Sequence, residues 1–285
     1  MSSLALWAAR SVVVVAVCAL AGGLLVEKLS TPVQAADMWR AAASRRRRWL
    51  RLWAIALALG SLVERVLQPP SYLQAELGLV ARLLALMAVG LSPDSPRWSR
   101  MGLALLLTAS RSLQSRSAQL PDWLLPTVTD WLHLSFSALW LGGVGYLAAV
   151  ATPPALRAPQ YLPMLGRVVE RFSTLAVAGV LVLGITGIAQ SAGFVVEPRA
   201  LVTTDYGRAL LLKLALSLPV LALGAFHHLV IRPRLNVWHR RFESAAHEAA
   251  RRFVTTASAE ALLAVALLIA AAALTVLPAV SELNR

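Results

Sequence analysis

Apolar runs long enough to cross a bilayer recur along almost the whole chain, and they leave it few ways to fold. A spanning helix takes about 20 mostly apolar residues, rising about 1.5 Å per residue through some 30 Å of hydrocarbon. About eight such runs can be marked, at 6–28, 49–68, 75–92, 100–118, 126–150, 170–193, 207–231 and 253–278. In lipid, backbone groups must bond within their own segment, so each run predicts a helix. The expected fold is all-α, a polytopic membrane helix bundle of about eight transmembrane helices. It divides into an N-terminal four-helix portion, 1–124, and a C-terminal one, 125–285. Composition agrees, with 58% apolar residues and a mean hydropathy of +0.66 over 285 residues, above the 45–50% typical of soluble domains. Proline-rich stretches at 68–71, 92–98 and 152–159 are expected helix stops. The first run, Leu6–Leu29, is too long for a signal-peptide core, so it is expected to stay as a span.

The charge pattern orients this bundle. The formal net charge is +13, which in a soluble chain would suggest nucleic acid. Here the basic residues gather between apolar runs, no basic-aromatic binding module appears, and no nucleic-acid partner is expected. About 18 of them fall in the loops after the first, third, fifth and seventh runs, against about 6 on the other side. Lys and Arg gather on the cytoplasmic side, so both termini are expected to be extracytoplasmic and the basic loops to lie near anionic lipid. The one cysteine, Cys18, has no partner for an internal disulfide.

Ionisable groups at membrane depth are costly and commonly functional. Toward the outer face stand Asp130 and His133 on the fifth run, Lys213 on the seventh, Gln190, Glu64 and Arg111; toward the inner face stand His227, His228 and Glu260. Asp130 and His133 are three residues apart and share a helix face. A carboxylate there could fix the imidazole tautomer beside a metal, or the histidine could be bonded to a neighbouring helix. Lys213 could pair with Asp130 or Glu64, and Glu260 with Arg251 or Arg252. His227 and His228 point about 100° apart, so at most one faces the interior and the other meets lipid headgroups. Gly142, Gly143, Gly179, Gly184 and Gly187 read as close helix packing, as does Trp140. No nucleotide loop, HExxH or hydrolytic triad occurs, and no enzymatic activity is expected.

Three stretches together resemble the CopD family of bacterial copper-handling membrane proteins. They are HLSFSALWLGG (133–143), RFSTLAVAGVLVLGITG (171–187) and YGRALLLKL (206–214) with the basic IRPRL at 231–235. Glu260 and Pro278 on the last run also fit, and the resemblance extends over about 125–280. It implies copper handling in the cell inner membrane, usually uptake, often with an extracytoplasmic copper-binding partner of the CopC type. No such domain is expected to be fused ahead of the first helix. The candidate metal residues are then His133, Asp130, His227 and His228, with Lys213, Glu260 and Gln190 on the path or tuning its charge. Where relatives carry a histidine in a Ser-His-Ala stretch, this chain has Ser115, Arg116 and Ser117. An imidazole and carboxylate set suits Cu(II) better than Cu(I). The expected function is copper ion transport. The alternative is a non-transporting subunit or assembly factor of a copper-dependent membrane complex. A bis-histidine haem carrier is disfavoured because His133 and His227 lie at different depths.

Overall fold

The computed structural model describes residues 2–30, 32, 36–68, 72–91, 97–194, 199–236 and 243–278. Among the described residues every regular element is a helix. Eight are long: α1 (Ser2–Leu29), α2 (Ala43–Leu67), α3 (Leu73–Leu91), α4 (Arg97–Ser112), α5 (Leu124–Arg157), α6 (Leu162–Phe194), α7 (Asp205–Leu235) and α8 (Glu243–Leu274). Each falls on one of the expected runs. Five of them, α1 and α5 to α8, are long and apolar enough to cross a membrane. The eight-span expectation is thus met outright by five. α2 opens on Ser-Arg-Arg-Arg-Arg, and α4 is only 16 residues long because the chain turns into a 3₁₀ segment at Arg116–Gln119. His239, Arg240 and Arg241 of the last basic loop lie outside the described residues.

α1 is the centre of the bundle. It is buried against α2, α4, α5 and α8, so it joins the N-terminal helices to the C-terminal ones. The closest approach is at Gly142 of α5. A β-carbon there would sit 1.9 Å from the Cys18 carbonyl oxygen, and one on Gly22 would sit 2.2 Å from the Ala138 oxygen. Only glycine permits backbones this near.

Polar clamps tie the two ends of α1 and show that the helices run up and down. At one face, Arg10 donates to Glu64 and Gln68 of α2 and to the Thr275 carbonyl beyond α8. At the other, buried Glu27 accepts from Arg100 of α4 at 2.5 Å and from the Tyr146 hydroxyl of α5. The first of these is called the Arg10 face below, the second the Glu27 face.

Outward-facing surfaces are apolar. α2 exposes Leu52, Ile55, Leu59, Leu62 and Val66; α3 exposes Leu73, Leu77, Val80, Leu84 and Met87; α6 exposes Val177, Leu181, Ile185 and Ile188. The spacings of three, four and seven put each set on one helical stripe. Apolar stripes of this length are untenable in water and natural against lipid tails.

α5 departs from the expected ending near 150, with a proline break at 152–159. It runs on to Arg157 through Thr152-Pro153-Pro154. A π-helical turn, Leu147–Ala151, precedes the prolines, and both the Thr152 amide and its hydroxyl serve the Leu147 carbonyl. The prolines then open a fresh α-helical turn, where a missing N–H costs little.

Candidate functional site in the α5–α8 group

Three of the four C-terminal helices contribute to one buried centre. Glu260 of α8 is fully buried. Trp140 of α5 donates from Nε1 to its Oε1 at 3.0 Å, and His227 Nδ1 of α7 lies 2.8 Å from its Oε2. Glu260 is about 25 Å along α8 from its start and about 21 Å from its end, at the 1.5 Å rise. Trp140 is about 24 Å along α5.

Two of these residues stand on π-helical turns, Ala138–Gly142 in α5 and His227–Ile231 in α7. A π turn inserts one residue and re-aims the side chains it carries, and such turns recur at functional sites. Room for the centre comes from Gly224, where a β-carbon would lie 3.2 Å from the Trp140 ring and 3.6 Å from Glu260.

His227 is held at both ring nitrogens. Nε2 is 2.7 Å from Thr256 Oγ1, which also lies 2.8 Å from the Arg252 carbonyl. Two neutral tautomers fit these contacts. With the proton on Nδ1, the ring donates to Glu260 Oε2 and accepts from the Thr256 hydroxyl. With the proton on Nε2, the ring donates to Thr256 Oγ1, and its Nδ1 lone pair faces Glu260 Oε2, a pair that a proton or a metal cation between them would satisfy.

His133 lies closer to the Arg10 face. Its Nδ1 is 2.9 Å from Thr186 Oγ1 of α6, which also lies 2.7 Å from the Val182 carbonyl. With the proton on Nδ1, the ring donates to Thr186 and Nε2 keeps the lone pair through which imidazole ligates metals. The partner on its ring is therefore Thr186 on the next helix. Asp130 faces Ser112, Ser115, Arg111 and Lys213. His133 and Trp140 are two turns apart on one face of α5, about 10 Å along the axis.

Other assignments change with the geometry. Arg252 pairs with Glu248 on its own helix, so neither it nor Arg251 balances Glu260. Glu64 pairs with Arg10, and Lys213 neighbours Asp130 and His133. His228 is half-buried, with its Nδ1 2.7 Å from Ser173 Oγ of α6. Gln190 donates to the Thr129 carbonyl at 3.5 Å, a link between α5 and α6. Trp140, read as packing, carries the centre's hydrogen bond; its position on the face of His133 was the available signal. Among the described residues no three His, Cys, Asp or Glu side chains converge as a metal-binding group.

The comparisons with known proteins fall on these helices. The chain is 27% identical over 176 residues to the copper transport protein CutJ of Bacillus subtilis (strain 168), covering 62% of this chain and 30% of that protein. It thus spans about 30% of the length of the curated relative it matches. No solved structure gives a significant match. Residues 166–274, which hold Thr186, Lys213, His227, His228, Thr256 and Glu260 but not His133 or Trp140, match the family model described as copper resistance protein D, CopD.

Proposed function

We propose that this chain carries copper ions across the cytoplasmic membrane, with the ion as its transported substrate. The observation that carries this reading is the buried pair of His227 Nδ1 and Glu260 Oε2, 2.8 Å apart. It lies within the stretch that matches CopD. The matched relative's name, copper transport protein, agrees with it.

Eight spans and extracytoplasmic termini complete the proposal. The lipid-type stripes of α2 and α3 support counting them as spans, and the basic loops after α1, α3, α5 and α7 put the Glu27 face in the cytoplasm. Ions then arrive at the Arg10 face, from a CopC-type partner or from solution, and meet His133 Nε2 first. The His227–Glu260 pair is the second station, and His228 with Ser173 lies beyond it. Few ligands per station suit a transported ion, which must bind well enough to enter and weakly enough to leave.

Copper flux into proteoliposomes holding the purified full chain tests this. His133→Ala and Glu260→Gln should each lower flux with the protein still folded. Equal flux in both variants and the parent would refute the route. A second reading, a non-transporting subunit beside a copper-dependent complex, is favoured by Arg116, which donates to the Leu277 carbonyl at 2.8 Å and serves as a structural brace. Absence of flux together with a stably copurifying complex would select it.

A further inference from the structure

The Arg10 face carries a cationic cavity that the copper route does not use. It has a volume of about 460 Å³ and is walled by Arg10, Arg111 and Arg116 together with Gln114 and Ser115. That is within the roughly 300–1,000 Å³ of typical ligand sites. No carboxylate is among its described walls.

Arg111 is the decisive group. It is 5% exposed, and its Nε makes no hydrogen bond. Among the described residues its guanidinium donates one hydrogen bond, to the Gln114 carbonyl at 3.3 Å, and faces Asp130. A buried guanidinium with most of its donors unspent is costly in a protein. Ser115 Oγ, on the same wall, is buried and lies beside Asp130. Local charge does not cancel either. Among the described residues Arg10, Arg82, Arg111 and Lys213 gather around two carboxylates, Glu64 and Asp130. Arg65 and Glu76 pair with each other and leave that balance unchanged.

We infer that this cavity binds a phosphate-class oxyanion through Arg111, Ser115 and the flanking Arg10 and Arg116. Guanidinium forks match the oxygens of a phosphate, and such charge-assisted hydrogen bonds are the strong ones. The cavity stands at helix ends, where Leu67 closes α2 and Thr275 follows α8. Leu6 and Leu67 add apolar wall beside the cations. That mixture fits the phosphate of an anionic lipid headgroup as well as a free phosphate ion. The bound charge offsets the cations around Asp130 and His133, but the site does not depend on copper being the transported ion.

The test uses the full chain in nanodiscs of phosphatidylcholine alone, titrated with inorganic phosphate by calorimetry. A parallel sample in phosphatidylglycerol nanodiscs is examined for retained lipid by native mass spectrometry. Saturable phosphate binding at one site, weakened roughly tenfold or more by Arg111→Gln, assigns a free oxyanion. Retained phosphatidylglycerol that Arg111→Gln releases, without phosphate binding, assigns a lipid headgroup. Ser115→Asp, which adds a negative charge to the wall, should abolish either signal if Arg111→Gln fails to fold. Neither ligand held by the parent protein, or binding unchanged in the variants that fold, would overturn the proposal.

Discussion

The two halves of the bundle answer the cost of buried polar groups in different ways. On the α1–α4 side the groups are arginines, charged at any relevant pH. Arg82 is 1% exposed and is held by Ser61 at 2.9 Å and Gln114 at 2.6 Å, with Glu64 at 3.9 Å. On the α5–α8 side the groups are imidazoles held by hydroxyls, His133 by Thr186 and His227 by Thr256. A guanidinium can only donate hydrogen bonds. A neutral imidazole offers a lone pair and exchanges it for a proton or metal. One half is built to hold fixed charge, the other to take a cation up and release it.

The comparison breaks first at the fixed charges. Arg82→Leu leaves Ser61 and Gln114 without their buried donor and takes a cation from beside Glu64, which keeps Arg10, and removing one member of a buried ionic network costs about 3–5 kcal/mol. A thermal melt in detergent should show a large loss of stability. A melt within a degree of the parent would mean that the arginine side is not structural. Next in size is Gly142→Ala. Its methyl carbon lands against the Cys18 carbonyl, and forced separation of packed helices costs about 1–3 kcal/mol. Because α1 serves both halves through this crossing, copper flux should fall along with stability. Unchanged stability would show that α1 and α5 are free to part.

The helices were legible in the sequence because each needs one apolar run, and a run is a local property. The pairing of groups was not. Glu260 has Arg252 two turns before it on its own helix, so the sequence offers that partner; the real ones, His227 and Trp140, come from α7 and α5, 33 and 120 residues away. The π turns that aim Trp140 and His227 leave no sequence mark, because they follow from how neighbouring helices meet. Arg82 and Arg111 stand inside the third and fourth apolar runs. The groups that make Arg82 tolerable, Ser61, Glu64 and Gln114, belong to other segments. The resemblance to CopD was legible for the opposite reason, since it rests on short strings whose order survives without knowledge of contacts.

The titratable half gives the smaller effects, and they separate function from stability. In Glu260→Gln the amide oxygen still accepts from Trp140, and the fold should keep its stability to within about 1 kcal/mol. The negative charge facing His227 is gone, and flux should drop about tenfold, equivalent to about 1.4 kcal/mol. Retained flux would demote the pair to a helix lock. Thr186→Val is gentler still. It removes one hydrogen bond, worth about 1 kcal/mol, and unties the His133 ring from α6. Flux should fall a few-fold at low copper and recover at high copper, since only the first station is weakened. A loss of flux that high copper does not restore would move His133 from ion reception to structure.

The smallest effect is the control that gives the others meaning. Glu248 and Arg252 form an exposed pair one turn apart on α8, at 2.8 Å. Arg252 was among the partners its sequence position offered to Glu260. Exposed pairs of this kind contribute little, because water and salt screen them. Glu248→Ala should leave both the melt and copper flux unchanged, while Arg252 keeps its backbone carbonyl as acceptor for Thr256. A drop in flux here would mean that charge at the Glu27 end of α8 reaches Glu260 through the helix, and the two halves would then differ less than their buried chemistry suggests.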